Sequence, residues 1–144
     1  MEKTKFTNLI NQLSITAQKD SWALNYDKEI DHLFWNKEPL NKNVKLVKVS
    51  HEASFYVDPN KKIEGVVVEY FTSNFVAHNP TYKGFAKQFN KKVGKNTFTV
   101  THTQETNKYL FGLGEALRAD IYQDSKETGK ALNFDSLVNY ALSK

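Results

Sequence analysis

Apolar positions change their period along the chain, and the period says which element each stretch forms. In residues 4–17, Phe6, Leu9, Ile10, Leu13 and Ala17 recur at steps of three and four, the stripe of an amphipathic helix that lies on the face of a sheet. From Trp22 the period becomes two: SWALNY, DHLFW and VKLVKVS read as strands. The stretch ASFYVDPNKKIEGVVVEYF reads as a hairpin whose second strand runs over 63–71. Gly65 interrupts that strand, which predicts a bulge or a close backbone approach. Val66, Val67 and Val68 are apolar on both faces and belong inside the sheet.

Helical signals return at HNPTYKGFAKQFNKKVGK. Asn79 as a cap, Pro80 at the first helical position and Gly94 as a stop predict a helix over 79–93. A strand over 96–103 follows, with Thr97, Thr99, Thr101 and Thr103 alternating with Phe98, Val100 and His102. Leu110, Leu113, Leu117 and Ile121 predict a helix fading near Gly129, and FDSLVNYALSK a short last helix capped by Asp135. The expected fold is α+β and one domain over 1–144: an N-terminal helix, an antiparallel β-meander of about five to six strands, and C-terminal helices packed on the sheet.

Composition narrows the function classes. With 144 residues, 40% hydrophobic, ten Phe and seven Tyr, the chain can fill a core. The absence of cysteine removes disulfides, thiolate metal sites and cysteine nucleophiles. No signal-like apolar run and no window near eighteen apolar residues occurs, so the expectation is a soluble, unexported, cytoplasmic protein with no membrane span. The net charge of +4 is uneven: residues 41–100 hold ten Lys against four acids, while either flank is nearly balanced. That is an electrostatic footprint for an acidic partner or nucleic acid. The plainer reading is codon bias and a solvated surface, since nineteen of twenty basic residues are Lys.

The stretch YDKEIDHLFW carries two acids four residues apart, Asp27 and Asp31, with Glu29 between them. If strands flank it, these are turn residues hydrogen-bonding their own backbone; a catalytic pair would need one carboxyl raised by burial. The order YDKEIDHLF followed by FYVDPNKKIEGVVVEY, covering residues 21–71, resembles the small bacterial and archaeal family of unknown function numbered 2283. Tyr26, Asp27, Asp31, Leu33, Phe34, Asp58, Gly65, Val66 and Glu69 carry the resemblance. It departs from the family pattern in that Glu69 lies four rather than two residues after Gly65. The resemblance implies a small β-meander, no established catalytic residue, and an antitoxin or regulatory role.

The strongest functional signal is the 79–93 segment. Tyr82, Phe85, Ala86 and Phe89 fall on one helical face and Lys83, Lys87 and Lys91 on another, extended by Lys92 and Lys95, with no acid between 79 and 95. Such a helix tracks phosphates, lies on an anionic membrane or docks an acidic protein; in the bland reading the aromatics face the core and the lysines face water. His32, His51, His78 and His102 form no metal-ligand spacing, and Gly112 and Gly114 in FGLGEAL lack the rest of a nucleotide fingerprint and suit close helix packing. No metal or other cofactor is expected, and no catalytic residue is assigned. The leading expectation is a non-enzymatic binding or regulatory module that engages an acidic protein or nucleic acid through Lys83, Lys87, Lys91, Lys92 and Lys95. The alternative is a small metal-dependent hydrolase or nuclease assembling Asp27, Asp31 and His78. A third reading is a structural subunit that forms a homo-oligomer.

Overall fold

The structure is a computed structural model; it describes residues 13–50 and 52–100, and within the following helix residues 108–110, 112, 113, 116, 117 and 119. Its frame is an antiparallel sheet of seven strands: β1 (Ala23–Asp27), β2 (His32–Asn36), β3 (Lys45–Lys48), β4 (Ala53–Val57), β5 (Ile63–Val68), β6 (Lys91–Lys92) and β7 (Thr97–Thr99). The order across the sheet is β3-β4-β5-β2-β1-β7-β6. The fold is therefore mixed α+β and dominated by its sheet. The described residues form seven strands in place of the expected five to six, and the order is no simple meander, because β5 pairs with β2 and the β6–β7 hairpin adds on the far side of β1. The extra strand, β6, is too short to leave a period in the sequence.

Strand register separates two faces. Leu24 pairs with Trp35, Tyr26 with Leu33, Leu33 with Val68, and Trp35 with Val66 and thence Phe55, so these side chains share one face and form the core. Trp22 meets Trp35 edge-on with ring centroids 5.3 Å apart. Leu13 and Ala17 of the helix Leu13–Lys19 join the same core, as do Leu110, Leu113 and Leu117 of the helical residues after 108. The rest of the expected N-terminal helix and the final helix over 134–144 lie outside the described residues. All six residues of β5 are buried, in keeping with its place between β4 and β2.

Gly65 shows both features its position implied. The ladder between β4 and β5 slips after Tyr56, pairing Tyr56 with Gly65 but Val57 with Ile63, which leaves Glu64 as a bulged residue. Glu64 is buried, and its carboxylate accepts the Asn41 N–H at 2.9 Å, anchoring the loop that carries the chain from β2 to β3. A Cβ on Gly65 would run into the Cβ of Asn36 and lie 2.9 Å from its Cα. Gly65→Ala is expected to lower stability by about 1–3 kcal/mol, read as a lower urea midpoint, since β2 and β5 must part to admit the methyl.

The helix expected over 79–93 is not formed. Pro80–Tyr82 make one 3-10 turn and Lys83–Ala86 one α-helical turn, after which the chain bends and enters β6. Asn79 does not cap this segment; its side-chain amide donates to the carbonyl of Phe75 at 3.0 Å, closing the preceding helical turn. Gly94 sits in the bend between β6 and β7, where its N–H donates to the Thr97 carbonyl. Two physical reasons account for the break. Lys83, Lys87 and Lys91 would stack like charges at successive i,i+4 positions, which opposes a helix. The aromatic face is also consumed early, because Tyr82, Phe85 and Phe89 are already buried in the core within this compact turn.

Candidate functional site

The acids of YDKEIDHLFW have separate tasks. Asp27, at the end of β1, accepts the N–H groups of Glu29 and Ile30 at 3.0 and 3.3 Å and so closes the β1–β2 turn on itself, as expected. Asp31 reaches across the fold. Its Oδ1 accepts the Tyr26 hydroxyl at 2.6 Å, the Thr72 N–H at 2.9 Å and the Thr72 hydroxyl at 2.7 Å. Its Oδ2 accepts the Ser73 N–H at 3.0 Å and the Ser73 hydroxyl at 2.8 Å. Its own carbonyl takes the Phe71 N–H at 2.8 Å.

Apart from Tyr26, which lies in β1, these donors belong to the first turn of the helical stretch made by the π-turn Phe71–Phe75 and the α-turn Val76–His78. That stretch starts from Tyr70 in a left-handed conformation, φ 51°, and has no cap from its own neighbour. Asp31 supplies the cap from 41 residues away. Burial alone would raise its pKa, but the hydrogen bonds from Tyr26, Thr72 and Ser73 outweigh burial and hold the carboxyl at about 2 against an ordinary 3.8. The phenol of Tyr26 moves the other way, to about 12, through burial first and then its bond to Asp31. A carboxylate so fully supplied with donors is a structural anion with little capacity left as a base or metal ligand.

His78 pairs with neither Asp27 nor Asp31. Its Nδ1 lies 2.8 Å from Oε1 of Glu52, a carboxylate whose side chain is 5% exposed while the imidazole is 69% exposed. The arrangement holds the ring by Nδ1 and leaves most of the imidazole in solvent. No group of three His, Asp or Glu able to hold a metal ion occurs among the described residues, so Asp27, Asp31 and His78 are not brought together as a metal site. His32 lies on the face of the sheet opposite the core, edge-on to Tyr70 at 5.9 Å, and His51 and His102 fall outside the described residues. Glu52 and His78 are 26 residues apart and only the fold joins them; the sequence held no signal for the pair.

The five lysines are placed as follows. Lys83 is in the α-turn, Lys87 in the bend after it, Lys91 and Lys92 form β6, and Lys95 lies between β6 and β7. All five are exposed, and none makes an ion pair among the described residues, whereas Lys48 meets Glu69 at 3.5 Å and Lys62 meets Asp20 at 3.8 Å. The aromatic residues beneath hold this surface in place. Phe85 stacks on Tyr109 at 4.9 Å and meets Phe89 edge-on at 5.1 Å; Phe89 reaches Tyr26 at 5.7 Å. Tyr82 donates its hydroxyl to the Tyr109 carbonyl at 3.0 Å, and burial, followed by the charge interaction with Tyr109, pushes its pKa up to about 12.

Two glycines permit this close approach. A Cβ on Gly84 would lie 2.9 Å from the Tyr109 hydroxyl, and one on Gly112 would lie 3.0 Å from the Tyr82 hydroxyl. Close helix packing is thus the use of Gly112, as its place in FGLGEAL suggested. A shallow cavity of about 430 Å³ opens beside the contact, lined by Thr81, Tyr82, Lys108, Tyr109 and Gly112. No family model, curated protein or solved structure matches the chain.

Proposed function

We propose that the chain is a non-enzymatic binding module with a regulatory, antitoxin-like role, which presents Lys83, Lys87, Lys91, Lys92 and Lys95 to an acidic protein or a nucleic acid. The observation that supports this reading is the concentration of exposed ammonium groups, without an ion pair among the described residues, on a stretch that has no acid between Glu69 and Glu105 and is backed by buried aromatic residues. Cations held away from their own counter-ions attract an anionic partner without first breaking internal pairs. Lysine neutralises carboxylate or phosphate as a point charge, while base reading usually requires the planar fork of arginine, which this stretch lacks. Binding to nucleic acid would therefore follow the backbone and fall with salt by a little under one log unit per log of salt for each phosphate engaged.

The test is the triple variant Lys83→Gln, Lys87→Gln and Lys91→Gln, assayed by fluorescence anisotropy on a labelled single-stranded oligonucleotide and on a labelled acidic peptide. Affinity for one of the two is expected to fall by about tenfold or more. Stability should stay within about 0.5 kcal/mol per site, because the side chains replaced are in water. Unchanged affinity for both probes would remove this surface as the binding site.

A further inference from the structure

We infer that the open edge of β6 takes up an extended acidic segment of a partner protein as an additional strand, and that the segment carries two consecutive acids next to an apolar residue. The inference rests on the binding role proposed for the lysines and decides between the two partner classes.

The ladder itself shows which backbone groups are offered. The Val93 N–H donates to the Thr97 carbonyl at 2.9 Å, and Lys91 is the partner of Thr99 two residues on. Hydrogen-bonded pairs alternate in an antiparallel ladder, so Val93 and Lys91 turn their N–H and C=O toward β7 while Lys92 turns both away from it. The other side of β7 agrees, since the Lys28 N–H donates to the Asn96 carbonyl and Phe98 pairs with Tyr26 in β1. β6 is the last strand of the described sheet, so the N–H and C=O of Lys92 face an open edge.

The side chains select what approaches that edge. Lys92 pairs with Phe98 and lies on the core face, whereas Lys91 pairs with Thr99 and lies on the opposite face with Val93, which is 54% exposed. Lysines on opposite faces of one strand do not line a single groove for a phosphate backbone. They do match an added strand, whose successive side chains also alternate: one acid opposite Lys91, the next opposite Lys92, and an apolar residue opposite Val93. Charged edges usually prevent pairing, and a second copy using β6 would set lysine against lysine. An acidic strand reverses that sign. The other described edge, β3, is less suited because Lys48 is already engaged by Glu69 at 3.5 Å.

The experiment uses the full chain and three labelled probes: the peptide Thr-Val-Glu-Glu-Thr-Val, the same peptide N-methylated at the Glu opposite Lys92, and a single-stranded oligonucleotide. The unmodified peptide is expected to bind, to slow exchange of the Lys92 amide, and to bind at least about tenfold more tightly than the methylated peptide, which keeps its charge but cannot complete the ladder. Affinity should drop by a similar factor in the Lys91→Gln, Lys92→Gln variant. Equal binding of the two peptides overturns strand addition and leaves the lysine surface standing. Binding of the oligonucleotide with no binding of either peptide overturns the acidic-strand partner and keeps the broader reading. If no probe binds, both fall.

Discussion

Asp31→Ala is expected to destabilise the protein by about 2–3 kcal/mol, and the loss should depend on pH in a way that identifies the carboxylate as its source. The substitution leaves the Tyr26 hydroxyl and the N–H and hydroxyl groups of Thr72 and Ser73 without their acceptor. It also uncaps the helical stretch from Phe71 to His78, which then starts from the left-handed Tyr70 with the Phe71 N–H still on the carbonyl of residue 31 but only water on the amides of Thr72 and Ser73. The shift from 3.8 to about 2 is itself equivalent to about 2.4 kcal/mol by linkage, reduced to about 1–2 kcal/mol because Asp31 is partly exposed to solvent. Its folded-state pKa is depressed, so this contribution is complete above the unfolded value of 3.8 and is lost as pH falls through about 2. The stability gap between wild type and Asp31→Ala, measured by urea unfolding, should therefore be constant above about pH 5 and narrow steadily between about pH 4 and pH 2. A gap independent of pH over that interval would mean that the side chain contributes packing and no charged cap.

Tyr26 gives the same latch an alkaline limit. Its folded-state pKa is raised from 10.0 to about 12, so the stability it contributes is whole below pH 10 and is lost as pH rises through about 12. Tyr26→Phe should abolish that alkaline loss while keeping the ring contacts with Phe71 and Phe89, both within 6.1 Å. Unfolding midpoints compared at pH 9 and pH 11 check it.

The features legible in the sequence were those whose causes are local. The β1–β2 hairpin and the role of Asp27 could be read because the bonds that close the turn span two and three residues. Gly65 could be read because a glycine among β-branched residues has few other uses. Asp31 looked like a second turn residue, and nothing within the turn distinguishes it; its donors Thr72 and Ser73 arrive 41 and 42 residues later. The pairing of Glu52 with His78 was hidden for the same reason. The segment after Asn79 misled differently. Tyr82, Phe85 and Phe89 have helical spacing and are buried, as the spacing suggests, but a compact turn buries them equally well and frees Lys91 and Lys92 for a strand. Periodicity identified the buried face and overstated the length of the helix.

Phe85→Ala should produce the largest loss of stability, about 3–5 kcal/mol, or roughly 10–15 °C in the melting midpoint for a chain of this size. Phe85 is fully buried, and its ring lies within 6.2 Å of the rings of Phe71, Tyr82, Phe89 and Tyr109. It therefore ties the helical stretch capped by Asp31, the lysine-bearing turn and the helix that follows residue 108 to one another. An alanine leaves a ring-sized void that four aromatic side chains, anchored on different elements, cannot fill together. The expected consequence extends to binding. Lys83 and Lys87 flank Phe85 in the chain, and β6 begins two residues after Phe89, so loosening this cluster should weaken partner binding at a temperature where the variant is still folded. The glutamine variants should separate the two effects by reducing binding at nearly unchanged stability. If Phe85→Ala binds as tightly as wild type below its own melting transition, the lysines act as independent flexible charges and the buried aromatic cluster has no part in presenting them.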